Sequence, residues 1–376
     1  MLTKVSIHNY TCFTDVELEL PRRLLMVGSN GSGKSSLWEV LVGLQDVIIR
    51  GADVAKVFPT RTLTRWRVHG GIQRFAIDVQ SGPNTYSYLL ELQHDTSRLT
   101  AAILTEELRL GERVLYENRE GEVRIFSDTT GTDGKPFASF PFGRKRSFLP
   151  DIEERSDNTH IMAFRAAVGE LWLIRHAPAR LASNSAEEDA WLERDGSNFA
   201  SWFRGVLAER PEVGNLLNEA LRPTLPGLQR IAFEKVSPKV RELMLHFRTD
   251  GNDYALSASE LSDGQRSLLL LHGLLVGAFD RGAVAFLDEP EIGLAPHEMQ
   301  PWLASATAAL EQHDGQLLVI SHHPAVVDYL APERTIRFSR PGGGPTRIDE
   351  VTLETTGGAS VSEWLSLPWV YEAENE

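Results

Sequence analysis

The sequence predicts an α/β fold with a mixed central sheet and flanking helices, extended by an antiparallel β-meander and a helical insertion. Three observations carry this. The apolar runs Arg23–Val27, Val284–Leu287 and Gln316–Ile320 have the length and uniformity of strands buried on both faces. Residues 74–127 alternate apolar and polar, as half-buried antiparallel strands do. Apolar residues then recur at helical spacing in the stretches between residues 159 and 221.

The first buried strand, Arg23–Val27, runs into Gly28-Ser29-Asn30-Gly31-Ser32-Gly33-Lys34-Ser35, and Ser35–Leu44 reads as the next helix. The spacing G-x-x-x-x-G-K-S/T between a strand and a helix is that of a phosphate-binding loop. Glycines let consecutive N–H groups face an anion, and the helix N-terminus adds its positive dipole end. Residues 28–36, through Ser36, are therefore assigned to a nucleotide, read as ATP. Lys34 is assigned to its β- and γ-phosphates and the Ser35 hydroxyl to Mg2+.

The meander is expected in four strands: Phe75–Val79, Tyr86–Leu92, Leu108–Leu115 and Val123–Phe126. Residues 128–150 read as a loop. Helices are expected at Thr159–Leu173, Glu187–Ala208 and Val213–Leu221, followed by a strand pair at Leu228–Val236 and Val240–Phe247. Next comes Leu261-Ser262-Asp263-Gly264-Gln265, opening the apolar helix Arg266–Phe279. Ser262 and Gln265 have capping-box spacing, which accounts for both residues locally; a capped helix N-terminus beside Gly264 is also an anion site.

The strand Val284–Leu287 delivers two adjacent carboxylates at its C-terminal end, where ligands of parallel sheets bind. In a chain with a phosphate loop, Asp288 is assigned to Mg2+, directly or through water, and Glu289 to the water attacking the γ-phosphate. After Gln316–Ile320, the segment Ser321-His322-His323-Pro324 offers a histidine that can hydrogen-bond the γ-phosphate or that water.

Together these motifs resemble the ABC-type ATPases, within them the SMC, RecF and OLD-like branch, over residues 1 to about 130 and about 225 to 340. Val5–Phe13 followed by Val16–Leu20 is similar to the branch's opening strands. Asp288-Glu-Pro-Glu-Ile-Gly-Leu-Ala-Pro296 resembles its Walker B and D-loop, although Ala295 stands where a histidine is usual. Ser321–Pro324 resembles its Thr-His-Ser-Pro switch, which carries the switch role to His322. By the same resemblance Leu261–Gln265 is the signature motif, with Asp263 where transporters have glycine. The resemblance implies a P-loop ABC-type head in which Ser262 and Gly264 contact the γ-phosphate held by the opposite subunit. Two ATPs would then be sandwiched in a head-to-tail homodimer. Gln73, Gln80 and Gln93 are all candidates for the family's Q-loop, and strand-surface polarity explains each equally well.

The motifs of one site are spread from Gly28 to His322 in a chain of 376 residues with 42% hydrophobic content. A single composite head is therefore expected, with lobes at 1–130 and 226–376 around an insertion at 131–225. Counts of 38 basic and 52 acidic residues give a net charge of -14, which favours solubility and counts against broad nucleic-acid binding. Local basic clusters, Arg61, Arg65, Arg67 and Arg74 in one region and Arg144-Lys145-Arg146 in another, read either as solvated surface or as a contact face. Trp66, Phe140, Phe142 and Phe148 lie among them. A single cysteine, Cys12, excludes an intrachain disulfide, and no apolar run is long enough to span a bilayer. A cytoplasmic protein is expected.

There are no sustained heptads, as an SMC coiled coil requires, and the short stretch after His322 leaves no space for an OLD-type Toprim nuclease. The resulting expectation is an Mg2+-dependent ATPase head acting through a separate effector, a nuclease or toxin, in anti-phage defence. The alternatives are a RecF-like ATPase that clamps DNA and a nucleotide-gated scaffold without catalytic duty.

Overall fold

Alternation in the N-terminal third becomes an eight-stranded antiparallel sheet in the computed structural model, which describes residues 1–66, 70–128, 135–367 and 370. The chain forms two compact units. The first comprises Met1–Leu171, Ile336–Gly357 and Trp364–Glu376, and the second Trp172–Thr335 and Gly358–Glu363.

The first unit opens with the hairpin β1 (Leu2–Tyr10) and β2 (Phe13–Glu19), then the buried strand β3 (Arg23–Gly28). Helices α1 (Lys34–Arg50) and α2 (Val54–Val57) follow. Strands β4 (Ile72–Ser81), β5 (Asn84–Asp95), β6 (Thr100–Leu110), β7 (Arg113–Arg119), β8 (Glu122–Ile125) and β9 (Ala138–Pro141) complete the meander in the order β2-β1-β4-β5-β6-β7-β8-β9. One face buries Phe75, Ile77, Val79, Tyr86, Tyr88, Leu90 and Leu92. Helix α3 (Thr159–Gly169) covers it, with Phe164 stacked on Tyr88 at 5.7 Å. On the opposite face Glu107 and Glu117 are direct cross-strand neighbours, a like-charge pairing that Arg109, Arg119 and Arg124 neutralise.

The strand expected at Leu108–Leu115 is two strands. Gly111, with φ of 58°, makes the turn of a two-residue hairpin between β6 and β7, and this conformation suits glycine. Within the expected loop, β9 pairs with β8, while residues 129–134 lie outside the described residues. The helix expected to reach Leu173 stops at Gly169. The Gln45 amide of α1 binds the carbonyls of Val168 at 3.0 Å and Leu171 at 2.9 Å, and the chain becomes strand β10 (Leu171–Ile174).

The second unit continues with β11 (Asn184–Ser185), α4 (Phe199–Glu209) and α5 (Val213–Leu221). The helix expected from Glu187 begins only at Phe199. Asn198 holds the preceding segment as a loop, donating to the Asp189 carboxylate at 2.9 Å and the Trp191 carbonyl at 3.0 Å. Strands β12 (Leu228–Lys235) and β13 (Arg241–Thr249) pair as expected, and β14 (Asn252–Ser257) adds to β13. The elements α6 (Asp263–Gly277), β15 (Val284–Asp288), α7 (Pro296–Gln312), β16 (Gln316–Ile320) and α8 (Pro324–Leu330) follow. Strands β10, β15 and β16 lie side by side in that order, with β15 and β16 parallel. Strands β17 (Thr335–Ser339) and β18 (Arg347–Val351) then line up beside β3 in the order β3-β17-β18. No helix among the described residues is long and apolar enough to cross a membrane.

A buried acid stands inside the meander. Glu106 is fully buried and accepts from Tyr88 at 2.8 Å and Tyr116 at 2.9 Å. Burial raises its pKa above the ordinary carboxylate value despite those bonds. The folded state therefore holds this proton more tightly than the unfolded chain, and stability falls as pH rises from the ordinary carboxylate range through the raised value. Glu106→Gln removes that titration, so the urea midpoint should decline less between pH 5 and 8 than in the wild type. An equal decline would show that Glu106 is not the group responsible.

Candidate functional site

The phosphate loop lies in the first unit and is built by close backbone packing. Gly28 has φ of 139°, and a Cβ there would fall 2.1 Å from the Phe338 carbonyl oxygen on β17. Gly33, with φ of 111°, caps α1, and a Cβ on it would lie 2.8 Å from both Cys12 Sγ and Thr346 Oγ1. Thr346 Oγ1 donates to the Ser32 carbonyl at 2.7 Å, and Arg340 Nη1 to the Gly31 carbonyl at 3.1 Å. Arg340 also lies over the Trp66 ring at 5.1 Å. Clamped in this way, the loop folds around the buried Lys34, whose Nζ donates to the carbonyls of Gly28 at 2.6 Å and Ser29 at 2.9 Å. Ser29, Asn30, Gly31 and Ser35 are not buried, and Ser36 is half-buried. The N–H groups of the first turn of α1 carry the helix's partial positive charge toward this loop.

In the second unit, parallel pairing of β15 with β16 places Asp288 opposite Ile320. Asp288 is buried, at 4% exposure, whereas Glu289 is exposed. Glu289 has φ of 52° while its N–H donates to the Ile320 carbonyl at 2.9 Å. A non-glycine residue held in the left-handed region stores strain, and such residues cluster at functional sites. Here the bend turns two sequence neighbours in different directions, one carboxylate into the protein and the other toward solvent.

The two histidines after β16 separate by their partners. His323 caps α8, its Nδ1 accepting from the Ala325 N–H at 3.3 Å, and its own N–H donates to Ser321 Oγ at 3.0 Å. The neighbouring His322 is exposed. Ser321 Oγ in turn donates to Glu291 at 2.6 Å, tying this segment to the loop after Asp288. Burial raises the Glu291 pKa above its ordinary value.

Residues Leu261–Gln265 adopt the capping box that their spacing predicts. Ser262 Oγ accepts from the Gln265 N–H at 3.3 Å, and the Gln265 side chain accepts from the Ser262 N–H at 3.0 Å. Leu261 is buried, while Ser262 and Asp263 are exposed at the start of α6. A Cβ on Gly264 would fall 2.5 Å from the Gly293 carbonyl oxygen, so the signature segment and the loop after Glu289 meet backbone to backbone. One turn on, Ser267 Oγ donates to the Ile292 carbonyl at 2.7 Å and lies 3.0 Å from His176 Nε2.

Sequence reasoning missed Arg175, His176, Ser267 and Glu291. Arg175 carries the same signal that exposed Asp288, a charge ending a short apolar strand, but it was hidden by the expectation of a helix through Leu173. Of the glutamines, Gln73 is buried and committed: its amide nitrogen binds the Asn9 carbonyl at 2.9 Å and the Thr62 carbonyl at 3.1 Å, and its oxygen lies 2.9 Å from His94 Nε2.

The basic clusters are engaged within the protein only in part. Arg74 pairs with Glu91 at 2.6 Å, Arg146 with Asp151 at 2.8 Å, and Arg144 Nε donates to the Ile103 carbonyl at 2.8 Å. Phe140 and Phe142 pack edge-on against Phe148. Arg67 lies outside the described residues, and Arg61, Arg65 and Lys145 are exposed. Among the described residues no cluster of three or more His, Cys, Asp or Glu side chains could hold a metal ion.

Residues 24–328 match the family described as "AAA domain, putative AbiEii toxin, Type IV TA system". The structure is similar to that of an SMC head bound to the C-winged helix domain of ScpA. The two share 11% identity, and the match covers 94% of this chain and 98% of that one with a TM-score of 0.59. It is also similar to an SMC head with an extended coiled coil bound to the C-terminal domain of ScpA, derived from Pyrococcus furiosus. There the identity is 11%, with 94% and 96% of the two chains covered and a TM-score of 0.54. At these identities the likeness is one of fold. No curated protein matches the chain.

Two outcomes follow from the geometry. Gly264→Ala must push the Gly293 carbonyl aside, so thermal unfolding should register a loss of about 1–3 kcal/mol; an unchanged melting temperature would contradict the close approach. His323→Ala should cost about 1 kcal/mol through the lost cap, read as a lower denaturant midpoint; an unchanged midpoint would contradict the cap.

Proposed function

We propose, for a chain that belongs to the AAA-domain family described as putative AbiEii toxin of type IV toxin–antitoxin systems, that it is an Mg2+-dependent ATP hydrolase driving a separate effector. Its fold is that of nucleotide-binding ATPase heads. The observation that carries this reading is the phosphate loop: glycines in conformations closed to other residues, gathered around a buried lysine at a helix N-terminus.

In this proposal residues 28–36 hold the triphosphate of ATP, with Lys34 leaving the loop carbonyls for the β- and γ-phosphates. Ser35 and Asp288 hold Mg2+, which would neutralise charge building on the transferred phosphoryl group. Glu289, exposed by the bend at its own backbone, orients and deprotonates the attacking water, and His322 hydrogen-bonds the γ-phosphate. Ser262 and Gly264 act in trans across a homodimer closed around two ATPs. The exposure of Ser262 and Asp263 at the capped start of α6 supports this role.

The effector is assigned to another chain, a nuclease or toxin, in bacterial anti-phage defence within the cytoplasm. Support comes from the family's description and from the fold's likeness to SMC heads bound to a partner domain. The DNA-clamping alternative has less to stand on, since Arg74 and Arg146 are paired with acids and the chain carries a net charge of -14.

Phosphate release and nucleotide binding test the assignment together. Lys34→Ala should abolish ATP binding. Glu289→Gln should bind ATP, accumulate as dimer in size-exclusion chromatography and hydrolyse roughly 10²- to 10⁴-fold more slowly. Ser262→Arg should bind ATP yet remain monomeric. Normal turnover by Glu289→Gln would remove Glu289 as the base, and a Glu289→Gln protein that still supports the cellular function would favour a nucleotide-gated scaffold.

A further inference from the structure

We infer that Arg175 is the counter-ion of Asp288, displaced when a divalent cation binds, and thereby a positioning residue that sets the metal affinity of the site. The inference rests on the reading of Asp288 as a metal ligand. Strand β10 lies beside β15, and Arg175 follows the end of β10 as Asp288 ends β15. Arg175 Nε donates to Asp288 Oδ2 at 2.5 Å, and Nη2 lies against the same oxygen. A carboxylate as buried as Asp288 is costly unless it is paired, and this guanidinium supplies the pairing.

The arrangement has the form of a latch. Nε and Nη2 of the guanidinium both lie against Oδ2 of the carboxylate. The Arg175 side chain is 37% exposed against 5% for Asp288, so the arginine lies nearer solvent than the acid it neutralises. The backbone around it is held. The Arg175 N–H donates to the Arg194 carbonyl and the Ala177 N–H to the Asp195 carbonyl, both at 2.9 Å. His176 is fixed as well. Ser267 Oγ spends its one hydrogen on Ile292, so it accepts from His176 Nε2–H. Burial lowers the His176 pKa to about 4, which leaves that imidazole neutral at pH 7.

A divalent cation brought to this carboxylate repels the guanidinium already on it, so binding of the ion and release of the arginine are coupled. The apparent metal affinity is then the intrinsic one reduced by the fraction of molecules in which the latch is open. Held shut in the metal-free chain, the latch also keeps the buried Asp288 charge compensated between cycles.

Mn2+ binding tests this, followed by electron paramagnetic resonance in protein saturated with a non-hydrolysable ATP analogue. Arg175→Gln should bind Mn2+ roughly tenfold more tightly than the wild type, and Arg175→Lys, with a single-point contact, severalfold more tightly. In steady state, Arg175→Gln should lower the Mg2+ concentration for half-maximal turnover without raising kcat, a split that mere structural damage does not produce. Unchanged or weaker Mn2+ binding by folded Arg175→Gln overturns the latch; should that variant fail to fold, unchanged binding by Arg175→Lys does so. Asp288→Asn should weaken Mn2+ binding. Wild-type affinity in Asp288→Asn would instead remove Asp288 as a metal ligand, a failure distinct from that of the latch.

Discussion

The approach of residue 28 to the Phe338 carbonyl is the constraint on which the nucleotide-binding half depends. Space for a Cβ is absent there, so glycine lets β3 end against β17 and bend sharply into the loop. Gly33 repeats the condition at the other end of the loop, against Cys12 and Thr346. With both ends clamped, the intervening carbonyls converge on Lys34 and the first turn of α1 starts where an anion is best received.

A different economy governs the second unit. There the polar groups at strand ends are coupled through side chains that read as unremarkable in the sequence. Asp288 is balanced by Arg175, and the adjacent His176 bonds to Ser267 on the helix that begins with the signature residues. Ser267 and Gly264 both meet the loop after Glu289, while Glu291 in that loop bonds Ser321 just before His322. These segments of the second unit therefore share one network of short contacts.

Much of this was legible in the residues. Uniform apolar runs located β3, β15 and β16, and alternation located the meander, because burial on two faces or one leaves those two patterns. The hairpin at Gly111 and the early end of α3 were not legible. The turn closes locally, with Leu110 paired to Arg113 inside a plausible strand, whereas the helix is stopped by a side chain, the Gln45 amide, that lies far away in the chain. The delayed start of α4 has the same cause, an asparagine whose side chain finds carbonyl and carboxylate partners in the preceding loop.

By itself the sequence determined the chemistry available: a glycine-rich loop with Lys34 and Ser35, two carboxylates ending a buried strand, a capped helix and a histidine segment, each set by local spacing. Tertiary structure alone decided how those groups are used. It assigned His323 to a helix cap while leaving His322 exposed, turned Asp288 inward and Glu289 outward through a strained backbone, and set Arg175 on the Asp288 carboxylate. The reason is physical: spacing along a chain fixes which groups leave a strand or helix together, but burial and partner choice arise only when separate segments pack.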